Sequence, residues 1–374
     1  MRKRPLKIAL TFIIVLILCV VCFGLFGPLE AKVMKYEAPS SDGYTGDFAV
    51  NDLLSDLSYI DISPYIRPEH LEYSDGYLYA STHGQIIRVP VSGGEPQLVV
   101  DGNGETLGFD IDKNGDIIFC DVLRNGVPGV YRADLSSLPA VVTPVVTEIG
   151  GEDLIYPDAL TIASDGTIYI SEATAFSPTK YGGADPAYSM EYWYHSGTGR
   201  VLSYDTGSCE GRVLAEGLSF SNGITLSHDE EYLYVAETNE YSIWKISTKA
   251  DHAVKNSDDF ILLISNLPGV PDNLSQGTDG RYWCGLTAPR NVQGDSILSK
   301  PVLRRFLMRL YPAIMESGSP ECSTCFSFDD SGNVTEFLMD TNAAYPEITG
   351  VCETEDRIYL HTNNDSCKIA YLDK

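Results

Sequence analysis

The stretch Leu160-Thr-Ile-Ala-Ser-Asp-Gly166-Thr-Ile-Tyr-Ile170 carries the pattern that decides the fold. Apolar and polar residues alternate on both sides of the Asp165-Gly166 pair. Alternation with a period of two is typical of a β-strand with one buried face, and Asp-Gly is a preferred pair for a tight turn between two strands. The stretch therefore predicts a β-hairpin.

The same pattern recurs along most of the chain. Five further copies span residues 71–79, 109–119, 224–235, 274–283 and 351–360. Other strand-like segments lie between the copies, and we expect no sustained helical period between residues 40 and 300. Six hairpins with further strands between them predict an all-β fold, a six-bladed β-propeller over residues 61–374.

The composition indicates a globular chain and excludes one class of partner. Of the 374 residues, 44% are hydrophobic and 21% are charged. The 52 Asp and Glu residues outnumber the 26 Lys and Arg residues, which gives a formal net charge of −26. A surface this acidic repels phosphate backbones, so we expect no binding to nucleic acids.

An apolar segment precedes the repeats. Residues 8–26 are apolar except for Thr11 and Gly24, and a basic cluster comes before them. A helix of this length spans roughly 28 Å, about one hydrocarbon core, and the basic flank favours a cytoplasmic N-terminus. A cleaved signal peptide is the alternative, but its apolar core is usually shorter. We expect a single-pass membrane protein with a basic tip and signal-anchor helix over residues 1–28, a linker over 29–60, and a lumenal, extracellular or periplasmic propeller.

Polar side chains recur at one position in four of the six repeats, shortly before the turn, where the innermost strand of a blade begins. They are Glu69, Asp158, Asn222 and Asp272, the last followed by Asn273. Each one alone is also compatible with a simple turn. Together they would bring about three carboxylates to the channel axis, an arrangement that needs a cation. Oxygen ligands of this kind favour Ca²⁺ over zinc.

Cysteines and sequons bear on the compartment. Seven cysteines lie outside the apolar segment, so at least one thiol stays free or pairs between chains. Cys322 and Cys325 have the spacing of half a zinc site, but without a second pair they are better interpreted as a disulfide or as two unrelated thiols. Asn333 and Asn364 begin glycosylation sequons, which matter only in a eukaryotic secretory pathway.

Three longer motifs resemble those of a known family. They are Gly217-Leu-Ser-Phe-Ser-Asn-Gly-Ile-Thr-Leu-Ser227, Asn266-Leu-Pro-Gly-Val-Pro-Asp-Asn273 and Gly197-Thr-Gly-Arg-Val-Leu-Ser-Tyr-Asp205. They resemble the strictosidine synthase-like proteins, which are related to the paraoxonases and to the senescence marker protein/gluconolactonases. The resemblance implies a six-bladed propeller and, in the hydrolytic relatives, a calcium ion on the axis.

The resemblance also implies which residues bind that ion. The ligands of the hydrolytic relatives correspond to Glu69, Asn222 and Asp272 of this chain. Asp158 stands where relatives often carry Asn, and it adds a negative charge. Asn273 corresponds to a further ligand or a substrate contact.

Two other functional positions of the relatives are altered in this chain. In strictosidine synthase a blade-six glutamate is the catalytic base, and the corresponding position is Thr349, with Glu347 two residues away. This difference disfavours the synthase reaction. Only His70 and His83 are candidates for the paraoxonase histidine pair, and we expect each to lie at the surface or in a hairpin.

Three functions remain open, in decreasing order of preference. The first is a membrane-anchored, calcium-dependent hydrolase of esters or lactones, in which Asp272 takes a proton and Asn273 contacts the small-molecule substrate. The second is a non-catalytic membrane-anchored propeller that binds a ligand or a protein and uses calcium as a structural ion. The third is a condensation of the strictosidine synthase type.

Residues Pro301–Met315 are the one clear helical stretch after the apolar segment, and they carry three arginines in an otherwise acidic chain. Three placements are open: a helix packed on the edge of the propeller, an amphipathic lid over the channel, and a helix that rests on the membrane. Pro312 would end or kink such a helix.

Overall fold

The computed structural model describes residues 3–310 and 322–374. The chain begins with α1 (Lys3–Phe26), whose segment Ile8–Phe26 is long and apolar enough to cross a membrane. Side chains of this segment are almost all exposed, so it is not a core helix of the propeller. The strand β1 (Ser58–Asp61) follows and introduces a series of β-sheets.

The first three blades are four-stranded antiparallel sheets of consecutive strands. Blade one contains β2 (Pro68–Ser74), β3 (Tyr77–Thr82), β4 (Gln85–Pro90) and β5 (Gln97–Val100). Blade two contains β6 (Thr106–Ile111), β7 (Ile117–Asp121), β8 (Gly129–Asp134) and β9 (Val141–Val146). After a short hairpin of β10 (Glu148–Ile149) and β11 (Glu152–Asp153), blade three contains β12 (Pro157–Ile162), β13 (Thr167–Glu172), β14 (Gly199–Asp205) and β15 (Glu210–Leu218).

The remaining blades complete the ring. Blade four contains β16 (Ser221–Leu226), β17 (Tyr232–Glu237), β18 (Ser242–Ser247) and β19 (Phe260–Ile264). Blade five contains β20 (Gly269–Gln276), β21 (Tyr282–Pro289), β22 (Ser323–Phe328) and β23 (Val334–Asp340). Blade six contains β24 (Ile348–Glu353), β25 (Arg357–Thr362) and β26 (Lys368–Asp373), and β1 pairs with β26 as its fourth strand. The predicted six-bladed propeller is confirmed, and the pairing of β1 with β26 closes the ring.

The six predicted hairpins are the inner hairpins of the six blades. Their turns need backbone conformations that glycine adopts easily, as at Gly166, whose φ is +94°. These turns all lie at one face of the ring, which we call the turn face. The inner strands begin at the opposite face, which we call the mouth face.

The hydrophobic core is divided among the joints between neighbouring blades. Six apolar clusters each join two blades, and one of them places Phe109 and Phe119 of blade two against Ile86 of blade one. Trp283 of blade five is fully buried against Leu360 of blade six. Because each large buried apolar side chain contributes about 1.5–3 kcal/mol, these joints hold the ring together.

Within residues 27–310 and 322–374, the α-helices are inserted between the second and third strands of blades three and five, so they lie on the mouth face. The insertions are α2 (Pro178–Tyr181), α3 (Ala184–Tyr194), α4 (Val292–Leu298) and α5 (Pro301–Leu310). Residues 40–300, whose sequence has no sustained helical period, thus contain α2, α3 and α4. The side chains of α3 pack on several sides, with Ala187, Glu191 and Trp193 all buried, so its sequence lacks a simple amphipathic period.

The helix predicted over Pro301–Met315 begins at Pro301 as expected and is described as far as Leu310. Its predicted remainder, including Pro312, lies outside the described residues. We call α2–α5 together with residues 27–40 the cap. One apolar cluster joins the cap to the ring, with Met308 of α5, Trp193 of α3 and Phe220 of the ring among its members.

The described cysteines are all free thiols, and several are buried in the blades. Cys322 and Cys325 are both buried and unbonded to each other, so the interpretation as two unrelated thiols is the correct one. Burial raises the pKa of the Cys325 thiol well above its usual value, so this thiol is protonated and unreactive.

Candidate functional site

The polar residues selected from the sequence lie at the mouth end of the inner strands. Glu69, Asp158 and Asn222 are each the second residue of their strand, in β2, β12 and β16. Asp272 and Asn273 lie in β20, the inner strand of blade five. Blades one, three, four and five thus each contribute an oxygen-bearing side chain to the same level of the channel.

An irregularity in strand pairing marks this level in every blade. The pairing register of the inner strand shifts between Pro68 and His70, Thr106 and Phe109, Pro157 and Ala159, Ser221 and Ile224, Pro271 and Leu274, and Ile348 and Val351. In blades one, three, four and five the shift encloses the candidate residue of the blade. A β-bulge bends the strand and redirects the side chain of the extra residue. The bulges thus free the candidate residues from the regular alternation of the strands.

Glycines allow the inner strands to approach one another at this level. A Cβ added at Gly223 would lie 2.4 Å from the backbone oxygen of Asp272. One added at Gly108 would lie 2.8 Å from the Cα of Ala159, the residue after Asp158. A side chain at either position would force the strands apart, so these glycines let the candidate residues of adjacent blades converge.

Hydrogen bonds hold Glu69 from several sides. The amide Nδ2 of Asn273 donates to Oε1 of Glu69 at 2.8 Å and to its backbone oxygen at 3.1 Å. The hydroxyl of Thr349 donates to the same backbone oxygen at 2.7 Å, and Ser81 Oγ donates to Oε2 at 3.3 Å. Asn273 therefore orients a carboxylate of the candidate site through its nitrogen, while its amide oxygen can still accept a hydrogen bond or bind a cation.

The carboxylates of this site repel one another. Burial and the charges of Asp272 and Glu69 raise the pKa of Asp158 well above its usual value. Burial and the charge of Glu69 raise the pKa of Asp272 in the same way, opposed by a hydrogen bond from Asn222. Each carboxylate therefore makes the ionisation of its neighbours more costly. A cation among them would remove this cost.

The donor set fits calcium by its chemistry. Three carboxylates and the amide oxygens of Asn222 and Asn273 are hard oxygen ligands, which Ca²⁺ accepts in numbers of six to eight together with water. Across residues 3–310 and 322–374 there is no group of three His, Cys, Asp or Glu side chains that could hold a metal ion. The three carboxylates therefore do not form such a group on their own in this structure, and a cation at the mouth of the channel would also need the amide oxygens of Asn222 and Asn273.

Two histidines lie directly below this level, and the sequence did not indicate their position. His70, expected at the surface or in a hairpin, lies in the β2–β3 hairpin, where it pairs with Ser81, but it is 5% exposed and therefore not at the surface. The bulge at Glu69 carries His70 into the channel, where its ring centroid lies 5.5 Å from that of His361. His83 is exposed in the turn between β3 and β4.

The two histidines differ in their electrostatic surroundings. Burial lowers the pKa of His70, but the carboxylates of Glu72, Glu69 and Asp110 outweigh burial and raise that pKa overall. Burial and the charge of His70 lower the pKa of His361 well below its usual value. The pKa values of the two imidazoles therefore shift in opposite directions, and the two rings meet edge to face at an interplanar angle of 63°.

The cap covers the site with aromatic side chains. Tyr188 of α3 lies 4.8 Å from Phe220, and Phe220 lies 5.5 Å from Tyr156, measured between ring centroids. Burial raises the pKa of the Tyr188 hydroxyl, and the charge of Asp272 is among the groups that raise it further, which indicates that Tyr188 lies near Asp272. Sequence reasoning missed these residues because it did not detect α3. The cap thus brings aromatic rings close to Asp272.

Two family descriptions match the chain. The strictosidine synthase family model matches residues 158–251, and the model described as strictosidine synthase-like, N-terminal, matches residues 46–89. The predicted resemblance to the strictosidine synthase-like proteins is confirmed. Three of the proposed site residues fall inside these matches: Glu69, Asp158 and Asn222.

Full-length relatives agree with this match. The adipocyte plasma membrane-associated protein of Salmo salar is 26% identical, over 96% of this chain and 87% of its own length. Strictosidine synthase-like protein 10 of Arabidopsis thaliana is 27% identical, over 85% of this chain and 83% of its own length. The apolar helix α1 and the membrane-associated relatives together fit an association with a membrane.

Solved structures share the fold at low identity. A gluconolactonase from Xanthomonas campestris superposes with a TM-score of 0.57 at 15% identity, over 92% of this chain and 99% of its own. A luciferin-regenerating enzyme superposes with a TM-score of 0.54 at 9% identity, over 84% of this chain and 94% of its own. The chain therefore shares its propeller fold with gluconolactonase-like and other enzymes.

Proposed function

We propose that this protein is a membrane-anchored, calcium-dependent hydrolase that acts on esters or lactones. The observation that carries the proposal is the convergence of Glu69, Asp158 and Asp272 at the mouth of the channel under an aromatic cap. Burial and the charge of Glu69 contribute to the raised pKa values of Asp158 and Asp272, and carboxylates with raised pKa values are concentrated at functional sites. The propeller enzymes with the same fold support the proposal only at the level of architecture.

Calcium would be held by Glu69, Asp158, Asn222 and Asp272. When bound, it would supply positive charge that polarises a substrate carbonyl and stabilises the developing oxyanion. Asp158 makes the ligand set more anionic than one with Asn at that position, which favours a divalent cation. The hydrogen bond that Asn222 gives to Asp272 would fix the orientation of that carboxylate.

The chain's own residues would divide the remaining work. Asp272 would accept a proton from the attacking water, a role that a carboxylate with a raised pKa performs well at neutral pH. Asn273, held on Glu69 through its nitrogen, would present its oxygen to the substrate. Tyr188, Phe220 and Tyr156 would bind an apolar part of the substrate and exclude bulk water.

The test is hydrolysis of phenyl acetate and of simple lactones by the purified full chain. We expect activity with calcium, loss of activity with a chelator, and recovery when calcium is added back. Asp272→Asn should lower turnover by a factor on the order of 10² or more, the usual scale for a general base. The control Asp279→Asn changes an exposed turn residue of the same blade and should leave turnover unchanged. Full activity of Asp272→Asn on every substrate would show that the catalytic assignment is wrong.

A non-catalytic role is the second candidate. It is favoured because blades two and six, all of whose strands the structure describes, have no carboxylate at the level of the site. Their residues at the site level are Leu107 and Thr349, and Thr349 uses its hydroxyl to support Glu69. Burial raises the pKa of Cys322, the residue before β22, and the charge of Glu347 contributes to this raised pKa. The absence of a blade-six carboxylate among these positions also disfavours a synthase-type condensation. Binding of calcium without hydrolysis of any ester or lactone would favour the binding role.

We also propose that the N-terminus is cytoplasmic and that the propeller lies on the other side of the membrane. The basic flank before α1 supports this orientation. Protease added to intact cells or vesicles should spare an N-terminal tag, and the side on which the propeller is cleaved defines its compartment. In a eukaryotic host, glycan attached at the exposed Asn333 would give the same orientation independently.

A further inference from the structure

The helix α5 packs against the end of the apolar helix α1. The ring of Phe306 covers Gly24 so closely that a Cβ added there would lie 2.5 Å from its Cε2 atom. Arg309 donates from Nε to the backbone oxygen of Gly27 at 2.6 Å and from Nη1 to those of Gly24 and Leu25 at 3.1 Å each. These carbonyls have no helical partner at the end of α1, so Arg309 caps this helix.

A second arginine attaches α5 to the segment that follows α1. Arg304 is fully buried, and its guanidinium donates to the backbone oxygen of Met34. Met308, on the same side of the helix, joins the apolar cluster of the cap. The face of α5 that carries Arg304 and Met308 is therefore directed at the protein.

The opposite face of α5 is apolar and exposed. Val302 is 67% exposed and Leu303 is 40% exposed, next to Phe26 at the end of α1, which is 82% exposed. A groove of about 490 Å³ runs between the two helices and is lined by Leu25, Lys300, Pro301, Val302, Leu303 and Phe306. An apolar surface of this kind on a water-facing protein would be costly.

The position of this surface indicates what covers it. The segment Ile8–Phe26 is of a length to span the hydrocarbon core, so its end at Gly24–Phe26 lies where acyl chains meet headgroups. Because α5 packs on those residues, its exposed face lies at the same depth.

Residues 300–310 carry one lysine and three arginines and no acidic residue, in a chain of net charge −26. Arg304 is buried and Arg309 is bonded to the end of α1, so Lys300 and Arg305 are the exposed basic side chains of this segment. Exposed basic side chains beside an apolar face are typical of helices that lie in a membrane interface.

We propose that α5 is an interfacial helix, and that the groove between α1 and α5 receives an acyl chain of the phospholipid bilayer that α1 crosses. Lys300, at one end of the groove, then lies near the headgroup phosphates. Since α4 and α5 belong to the mouth face, this contact turns the mouth of the propeller toward the bilayer. The inference requires that α1 crosses a membrane, and it does not depend on calcium or on catalysis.

The test is photo-crosslinking of the full chain in phosphatidylcholine nanodiscs. A p-benzoylphenylalanine at Val302 should form lipid adducts, detected by mass spectrometry. The matched control carries the same label at Val254, which is 68% exposed and lies between β18 and β19, on the turn face. We expect at least about tenfold more lipid adduct at Val302 than at Val254, since the two positions differ in location and not in exposure.

A second label at Leu303 guards against a local defect at Val302, and each variant must melt as the wild type does in the same discs. Lipid adducts at either position, well above the control, support the inference. Equal adducts at Val302, Leu303 and Val254 would overturn it. Adducts between these positions and another protein chain would also overturn it, because the groove would then be a protein interface. Activity is not measured, so this result is independent of whether the protein is a hydrolase.

Discussion

The two faces of the ring use carboxylates in opposite ways. At the mouth face, Asp158 and Asp272 are held next to other carboxylates, and their pKa values are raised. At the turn face, Asp205 and Asp329 accept backbone hydrogen bonds in turns, and their pKa values are lowered. The comparison teaches that negative charge stabilises the turns at Asp205 and Asp329, whereas it destabilises the mouth of the channel around Asp158 and Asp272 unless a cation is bound.

Among the tests of this comparison, the removal of calcium is expected to have the largest effect on stability. Calcium that binds only the folded protein contributes RT ln(1 + [L]/Kd), about 4 kcal/mol at a thousandfold excess over Kd. We therefore expect a chelator to lower the melting temperature of the full chain, and calcium to restore it. Magnesium at the same concentration is the control, because its smaller octahedral shell suits this donor set less well.

If the melting temperature does not respond to chelator and elemental analysis finds no metal, the mouth carboxylates do not depend on a cation, and the proposed contrast between the two faces is wrong. The mouth carboxylates would then have to be neutralised by protons alone. That outcome would also favour a binding propeller without a metal over the proposed hydrolase.

The second test removes one carboxylate near the turn face that is held by several hydrogen-bond donors. Glu353, at the end of β24, accepts hydrogen bonds from Arg281 Nε at 3.0 Å and Trp283 Nε1 at 2.7 Å, and it contacts Lys374. Burial would raise the pKa of Glu353, but these partners outweigh it and lower the pKa to about 2. Glu353→Gln should therefore lower the free energy of unfolding by about 3 kcal/mol at neutral pH.

The pH dependence of this loss has a defined sign. A carboxylate whose pKa falls on folding stabilises the protein above its usual pKa, near 4.5, and stops doing so as the pH approaches 2. The difference between wild type and Glu353→Gln should shrink across that window in chemical denaturation. Glu336→Gln removes the more exposed partner of the same Arg281 and should cost less than about 1 kcal/mol. A constant difference from pH 6 to pH 2 would contradict the assignment.

Most of the ring was predictable because its signals are local. Each inner hairpin is specified by alternation and a turn within about a dozen residues, as at Asp165-Gly166, and this is why six blades could be counted. The level of Glu69, Asp158, Asn222 and Asp272 followed from the distance to those turns. The bulges that redirect these side chains have no comparable signal, since they depend on pairing with the neighbouring strand.

What the sequence could not indicate depends on packing between distant segments. The helix α3 is buried on several sides by the ring and by residues 27–40, so it lacks an amphipathic period. His70 looked like an alternating strand residue, and only the bulge beside it places it near the axis. His361 is distant in sequence and lies on the second strand of blade six, where no motif pointed to it.

The third test asks whether calcium changes the effect of one mutation on the free energy of unfolding. Asp158→Asn removes one of the carboxylates that oppose one another at the mouth face. In excess chelator at neutral pH we expect this change to raise the free energy of unfolding by about 2 kcal/mol, because a buried charge is relieved. In saturating calcium the variant should gain less from the ion than the wild type does, because an anionic ligand is lost. Titrations followed by thermal melts measure both effects.

The matched control for this test is Asp165→Asn, in the exposed turn of the same blade. Asp165 accepts a hydrogen bond from the backbone nitrogen of Thr167 at 2.8 Å, which an Asn side chain can also accept. Its stability should not depend on calcium. A calcium response equal to that of Asp158→Asn would mean that the ion binds outside the mouth face.

The smallest expected effect concerns the backbone of the turn face rather than its charges. Gly166 has a φ of +94°, which an L-residue adopts only with strain, and a Cβ there would meet nothing closer than Thr206 Oγ1 at 3.5 Å. Gly166→Ala should therefore cost about 1 kcal/mol through backbone conformation alone. Gly207, in the neighbouring hairpin of blade three, is not among the residues with positive φ, and a Cβ there would lie 3.2 Å from Oδ1 of the exposed Asp205, which can shift, so Gly207→Ala should cost less than Gly166→Ala. Neither change alters a charge, so both should leave the calcium response and the pH dependence as in the wild type. If Gly166→Ala changed the calcium response measured by thermal melts, the two faces would be coupled through the blade, and the division of roles between them would be wrong.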